Sequence, residues 1–245
     1  MDYDRVAARY SGVRRADPAI AAAIQRALSD ARSVVNVGAG TGSYEPADRD
    51  VVAVEPSAEM RARRAPGAAP CLDGVAEDLP LDDDSVDAAM AVLTIHHWSD
   101  PARGLAEMRR VARRRVVVLT FDVDRAADYW FVANYLPETA AADRERCPSI
   151  EETARLMGGA RIETVPIPAD CTDGFLGAYW ARPEAYLDPD VRAGISTFQV
   201  VAPARIDDAL SQLAADLRSG AWDERHGELR TQASIDLGYR LLVAG

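Results

Sequence analysis

The stretch Val34-Val-Asn-Val-Gly-Ala-Gly-Thr-Gly42 decides the fold of this 245-residue chain. Its apolar start predicts a buried strand, and the glycines that follow let the backbone turn tightly and approach a ligand closely. The next apolar run, Val51-Val-Ala-Val-Glu55, ends in an acidic residue 17 positions after Gly38. A carboxylate placed there can accept hydrogen bonds from the hydroxyls of a ribose. Together these segments predict a nucleoside-containing cofactor at the carboxyl edge of a parallel sheet.

The glycine spacing bears on which cofactor this is. A dinucleotide site needs the order G-x-G-x-x-G or G-x-G-x-x-A, in which the third small residue packs a helix on the strand. Here the order is G-x-G-x-G, and Ser43 stands where that third small residue would be. The pattern therefore disfavours a nicotinamide-dependent oxidoreductase, which stays an alternative.

The chain resembles the class I S-adenosylmethionine-dependent methyltransferases, and within them the type 11 domains typified by ubiquinone- and menaquinone-biosynthesis enzymes. Five segments match the motifs of that family in order, all within residues 1–122. They are 34–42, Val54-Glu-Pro-Ser-Ala-Glu-Met60, Ala76-Glu-Asp-Leu-Pro80, Asp84-Ser-Val-Asp87 and Leu93-Thr-Ile-His-His-Trp98.

Alternating apolar runs and amphipathic segments predict an α/β fold with a parallel sheet. The predicted strands are 33–37, 51–55, 69–72, 86–95, 115–121, 161–167 and 238–243. The predicted helices are 17–28, a short one starting near 57, 101–111, 149–157 and 206–217. The resemblance further implies a Rossmann-like seven-stranded sheet with helices on both faces, whose last strand inserts antiparallel beside the sixth.

We expect a single domain over residues 1–245. The resemblance implies an N-terminal lid over 1–16. Residues 123–148 and 171–235 flank the sixth strand and hold many aromatic side chains. We therefore expect these two segments to form a helical cap that contacts the substrate.

The resemblance also assigns the cofactor site. The loop from Asn36 would hold the methionine end of S-adenosylmethionine, Glu55 would bind the ribose, and Leu93 would lie near the reactive methyl group. The full set is Asn36, Gly38, Ala39, Gly40, Gly42, Glu55, Pro56, Ala76, Glu77 and Leu93. Val75 replaces the aspartate that commonly accepts a hydrogen bond from adenine, so Glu77 or a backbone carbonyl takes that role.

Methyl transfer from a sulfonium depends mostly on alignment, and a base is needed only when the acceptor must lose a proton. His97 and His96 follow the fourth predicted strand, and histidine suits proton transfer near neutral pH. Neighbours in an extended chain face opposite ways, which favours one of the two, and alignment with the family favours His97. Tyr10, in the predicted lid, can close over the methionine part or contact the substrate.

Composition narrows the remaining possibilities. The net charge of −11 disfavours nucleic acid as a partner. Three scattered cysteines without metal-ligand spacing predict a reduced cytoplasmic protein with no metal site. We expect no membrane segment, and a monomer or homodimer that acts on a small-molecule acceptor and releases S-adenosylhomocysteine. The alternative is a protein that binds the same cofactor in a non-methylating or regulatory role.

Overall fold

A computed structural model describes residues 15–245. Its main sheet has seven strands in the order β3-β2-β1-β4-β5-β9-β6. The first five strands in chain order run parallel, and β9 lies antiparallel between β5 and β6. The strands are β1 Ser33–Val37, β2 Asp50–Val54, β3 Cys71–Leu72, β4 Val86–Val92, β5 Ala112–Phe121, β6 Arg161–Thr164 and β9 Tyr239–Ala244. This arrangement confirms the predicted Rossmann-like sheet and its antiparallel last strand.

Helices cover both faces of this sheet. They are α1 Pro18–Leu28, α2 Ala58–Ala62, α3 Pro101–Val111, α4 Val123–Ala127, α5 Trp130–Tyr135, α6 Glu138–Arg146, α7 Ile150–Leu156, α8 Pro189–Ala193, α9 Thr197–Val200, α10 Pro203–Ser219 and α11 Ala221–His226. Strands β7 Ile167–Pro168 and β8 Ser234–Ile235 form a separate antiparallel pair.

The strands are apolar on both sides because each side has its own core. Alternate residues of one strand point to opposite faces. Thus Met90 packs in the cluster that contains α1 and the cap, and Ala91 packs in the cluster that contains α3 and α7. The same alternation separates Val117 from Val118. An unbroken apolar run is therefore what a central parallel strand of this sheet requires.

Side-chain caps fix where several helices begin. Asp17 accepts hydrogen bonds from the N–H groups of Ala19 and Ile20 at the start of α1, where Pro18 occupies the first helical position. Ser57 and Ser149 cap α2 and α7 in the same way. These are the starts predicted from the sequence.

The cap is mainly helical and is centred on aromatic side chains. Trp130 makes edge-to-face contacts with Phe131, Tyr186 and Trp222. These rings belong to the same buried cluster as α1 and one face of the sheet. The cap and the sheet therefore share one core.

Several predicted boundaries differ from the structure, among them the start of β5 at Ala112 and the span of α10 over Pro203–Ser219. Strand β4 ends at Val92, and residues 95–97 form a 3₁₀ turn rather than more strand. Strand β6 ends at Thr164, because residues 167–168 pair with β8 instead. Strand β3 is brief, as predicted, and has two residues.

One further expectation concerns the start of the chain, and another concerns membrane segments. Tyr10 and nearly all of the predicted lid over 1–16 lie outside the described residues. No helix within residues 15–245 is both long and apolar enough to cross a membrane.

Candidate functional site

The glycine-rich loop after β1 is shaped by left-handed backbone at three positions. Gly38, Gly40 and Gly42 have φ values of 66°, 53° and 90°. A side chain at Gly38 would stand 2.2 Å from Oγ1 of Thr94, so this position requires glycine. Around Gly40, by contrast, nothing lies within 4 Å of where a Cβ would be. Gly40 therefore keeps open a space that another side chain would enter.

Glu55 sits at the end of β2 beside this space and is only 7% exposed. One carboxylate oxygen accepts a hydrogen bond from the Gly40 N–H at 2.8 Å, and the other from the Ser57 N–H at 2.9 Å. Each oxygen retains capacity for a further bond. Glu55 thus fixes the glycine loop and can still accept hydrogen bonds from a ligand.

A buried ion pair supports the loop from below. Arg64 donates to both carboxylate oxygens of Glu45, at 2.8 and 2.7 Å, and the two side chains are 6% and 10% exposed. Asn36 also donates to Glu45, at 3.1 Å. Sequence reasoning missed Glu45 and Arg64, because both lie in irregular segments and nothing in their spacing predicts that they pair.

The glycine loop, Glu55 and the ends of β2 and β4 enclose a cavity of about 560 Å³. Every predicted cofactor residue except Gly42 lines it. The Gly42 N–H instead donates to the carbonyl of Ala39 and closes the turn. Gly42 therefore shapes the loop, and its predicted contact with the cofactor stays a prediction.

Glu77 and Val75, which the resemblance assigns to the adenine site, both line the larger cavity. One oxygen of Glu77 accepts hydrogen bonds from the N–H groups of Ser99 and Asp100, at 2.7 and 3.0 Å. Burial acts to raise the pKa of Glu77, but these hydrogen bonds outweigh it, and the pKa lies below its ordinary value. Glu77 is therefore a fixed, ionised acceptor beside the exposed side chain of Val75.

A second cavity of about 150 Å³ adjoins the first. The two cavities share the residues Leu93, His97, Ser196 and Val200, which we call the junction. Leu93 has a φ of 51°, which is uncommon for a non-glycine residue. Ser196 and Val200 come from the cap and were not predicted, because nothing in a short irregular segment indicates which side chains reach the cofactor cavity.

His96 and His97 were expected to face opposite ways, but in the structure they do not. They lie in the 3₁₀ turn 95–97, where their ring centroids are 3.8 Å apart, and both line the smaller cavity. The expectation failed because it assumed extended backbone. Only His97 also lines the larger cavity, so it is the histidine placed between the two.

The cysteines and the possible metal ligands were compared with the predictions for a metal site and for the thiols. Among residues 15–245 there is no group of three or more His, Cys, Asp or Glu side chains that could hold a metal ion. Cys71, Cys147 and Cys171 are free thiols. Burial raises the pKa of Cys147 and of Cys171 to about 12, which keeps both thiols protonated at neutral pH.

The larger cavity fits S-adenosylmethionine. Its volume lies within the range of cofactor sites. A buried carboxylate can accept hydrogen bonds from a ribose, and the open space at Gly40 admits a ligand close to the backbone. Asn36, Gly38, Ala39 and Gly40 would hold the methionine part, and Pro56, Ala76 and Glu77 the adenosine.

Residues 35–120 match the protein family described as the methyltransferase domain. A solved protein of Anabaena variabilis ATCC 29413, described as a methyltransferase from an antibiotic biosynthesis pathway, is 34% identical with a TM-score of 0.89. That match covers 96% of this chain and 100% of the other.

Two further relatives are more distant or more partial. An uncharacterised methyltransferase of Mycobacterium tuberculosis is 47% identical over 89 residues, which is 34% of this chain and 36% of the relative, so the chain aligns with about a third of that protein. A geranyl diphosphate C-methyltransferase of Streptomyces coelicolor A3(2) is 18% identical with a TM-score of 0.51, covering 92% of this chain and 76% of the other. This second likeness concerns the fold alone.

Proposed function

Because the chain belongs to the S-adenosylmethionine-dependent methyltransferases, we propose that it transfers a methyl group to a small, partly apolar metabolite by in-line displacement. The observation that carries this proposal is the pair of adjoining cavities. One is lined by Glu55 and the glycine loop, which suit a nucleoside, and the other has a mainly apolar lining. They meet at Leu93 and His97, where two ligands would come into contact.

When bound, S-adenosylmethionine supplies a methyl group that needs no further activation. The contribution of this chain is then alignment. Glu55 accepts a hydrogen bond from the Gly40 N–H, and Arg64 of the buried Glu45–Arg64 pair donates to the Gly40 carbonyl. The cap contributes Ser196 and Val200 to the junction.

His97 is the candidate base in this proposal. Its ring lines both cavities, so it can reach a proton on an acceptor in the smaller cavity. Its backbone N–H donates to the carbonyl of Thr94 at 2.8 Å, which fixes the turn that presents it. His96 lines the smaller cavity only and has the weaker claim.

We also propose that the acceptor is a cytoplasmic biosynthetic metabolite rather than nucleic acid. Four of the five arginines between residues 109 and 115 support this, because they are engaged within the protein. Arg110 pairs with Glu107 and Asp83, and Arg113 pairs with Asp87. The net charge of −11 also disfavours binding to a phosphate backbone.

Isothermal titration of the protein with S-adenosylmethionine and with NAD tests the cofactor. We expect binding of the first and none of the second. Release of labelled S-adenosylhomocysteine on a panel of small metabolites tests the reaction. Binding of NAD alone would support an oxidoreductase, and tight cofactor binding without turnover on any acceptor would support a non-methylating role.

A further inference from the structure

The wall of the smaller cavity carries a continuous series of rings, which we call the aromatic belt. It runs from His97 through His96, Phe121 and Tyr239 to Phe175. The successive ring centroids are 3.8, 5.4, 6.4 and 4.8 Å apart. All five residues line the cavity.

The fold, rather than a flexible loop, sets this belt. Phe121 ends β5 and Tyr239 begins β9, and the two are directly paired across the antiparallel strands. Phe175 is 7% exposed and is held in the buried cluster of the cap. The rings therefore present fixed faces and edges to whatever fills the cavity.

The size of the cavity limits its occupant. An apolar cavity of about 150 Å³ is known to hold one benzene molecule, and this cavity has about the same volume. A single ring with short substituents therefore matches this volume, whereas two fused rings would extend beyond it into the adjoining cavity. A flexible chain of the same volume would gain less from flat, rigid walls.

The cavity lining also includes a charged pair. Asp143 and Arg146, both on α6, line it and make a single contact of 3.3 Å with each other. Their side chains are 34% and 37% exposed, so the pair is neither buried nor closed. It can accept from and donate to a polar substituent on the occupant. The cavity lining thus contains both His97 and the pair of Asp143 with Arg146.

We propose that the acceptor of the methyl group is a single planar ring with an ionisable hydroxyl group at the junction and a polar substituent toward Asp143 and Arg146. This inference rests on the proposed function. The ring hydroxyl loses its proton to the imidazole of His97, and its oxygen forms the new bond to the methyl carbon. The electron pair of the broken carbon–sulfur bond stays on the sulfur of S-adenosylhomocysteine, and the product is a methyl ether.

Ligand-observed NMR titration of the protein saturated with S-adenosylhomocysteine tests the ring. The probes are 4-methylphenol, its saturated counterpart 4-methylcyclohexanol, and 2-naphthol. We expect 4-methylphenol to bind about 3- to 10-fold more tightly than 4-methylcyclohexanol, because only the planar ring gains from aromatic contacts. We expect 2-naphthol to bind no better than 4-methylphenol. Equal affinity of the first two probes, or tighter binding of 2-naphthol, would overturn the inference.

A second pair of probes tests the charged pair. 4-Hydroxybenzyl alcohol and 4-ethylphenol have nearly the same shape, and only the first can hydrogen-bond to Asp143 and Arg146 while its phenolic hydroxyl lies at His97. In Arg146→Met we expect the ratio of their affinities to shift about tenfold toward 4-ethylphenol, the effect of one lost hydrogen bond to a charged group. Arg144→Met is the matched control, because Arg144 does not line the cavity. An unchanged ratio in Arg146→Met would remove the pair from recognition.

These outcomes separate the two proposals. If S-adenosylhomocysteine binds but the ring probes show no preference, the acceptor inference falls and methyl transfer stands. If neither S-adenosylmethionine nor S-adenosylhomocysteine binds, the proposed function itself falls.

Discussion

At the scale of single residues, Gly40 and Glu55 act together in the proposed cofactor site. Gly40 offers open space and an N–H group, and Glu55 holds that N–H at 2.8 Å with a buried carboxylate. The loop therefore depends on the same acidic residue that would bind a ribose. Changing either residue should affect the cofactor more than the fold.

Gly40→Asn should abolish binding of S-adenosylmethionine while the protein stays folded. Asparagine tolerates left-handed backbone better than most residues, so the main effect is a side chain in the ligand space. Gly67→Asn is the matched control, since Gly67 also has positive φ and open surroundings but does not line the cavity. Calorimetry gives the affinities and circular dichroism the fold. Equal affinity in both variants would contradict the assignment.

Glu55→Ala should weaken the binding of S-adenosylmethionine by about 1–3 kcal/mol, because buried hydrogen-bonding groups lose their partner. The change also leaves the N–H groups of Gly40 and Ser57 without their acceptor. Glu59→Ala serves as a control, since Glu59 lies in the nearby helix α2 and outside the cavity. Titration calorimetry measures both. The ribose assignment fails if the two variants bind alike.

His97→Ala should lower turnover by about 100- to 10,000-fold if the acceptor loses a proton, which is the usual effect of a lost general base. His96→Ala should do less, because His96 does not line the cofactor cavity. Rates are measured at saturating cofactor, with cofactor affinity determined separately. Turnover of His97→Ala at the wild-type level on a phenol would leave alignment as the only contribution of the enzyme.

At the scale of elements, one buried hydroxyl joins the cofactor loop to the cap. Tyr44 follows the glycine loop, and its hydroxyl donates to Asp173 at 2.8 Å and accepts from the N–H of Asp17 at 3.3 Å. Asp173 is fully buried, and Asp17 also accepts from the N–H of Thr172. The loop, the start of α1 and the chain entering the cap are thereby tied together.

Tyr44→Phe should reduce the free energy of unfolding by about 1–3 kcal/mol, since it removes one hydrogen-bond partner from a buried carboxylate. It should also weaken cofactor binding, because Tyr44 lines the larger cavity. Tyr135→Phe is the control. Its hydroxyl bonds to Asp216, which keeps Arg225 as a partner and lies far from the cavity lining. Urea unfolding and calorimetry distinguish the two, and identical behaviour would argue against a link between loop and cap.

Elements differ in how well their sequence predicts them. Strands β1, β4 and β5 were predicted because a strand covered on both faces needs a run of apolar residues. The helices α4 and α5 span five and six residues, fewer than two turns, so no helical period can be recognised in them. The 3₁₀ turn that presents His96 and His97 carries no pattern of its own either. The cavity lining from the glycine loop was predicted, and the lining from Ser196 and Val200 was not.

At the scale of the whole molecule, the comparisons and the sheet order confirm the predicted methyltransferase fold. The subgroup, the acceptor and the number of subunits stay predictions. Acidic side chains are numerous, and many are paired with arginines around the sheet. Asp87, for example, accepts from Arg113 and from the N–H groups of Arg32 and Ser33, which holds its pKa well below the ordinary range.

Stability should therefore fall on acidification. A carboxyl whose pKa is lower in the folded chain stabilises it above the unfolded pKa of about 4, and this contribution is lost as pH falls through the folded value. The pKa values of Glu107 and Asp236 are also lowered in the folded chain, so their contributions to stability are lost in the same direction. We expect the urea midpoint to decrease steadily below about pH 4. Asp87→Asn should flatten that dependence, and an unchanged slope would contradict the role of Asp87.

The position of β9 has a consequence for the order of folding. It fills the gap between β5 and β6 but comes more than a hundred residues after β5 in the chain. Closing so long a loop is entropically costly and slow compared with pairing β1, β2 and β4. Because Tyr239 begins β9, the acceptor cavity can be completed only in that late step, whereas the glycine loop depends on strands that assemble early. During refolding, we expect cofactor binding to return before affinity for the acceptor does.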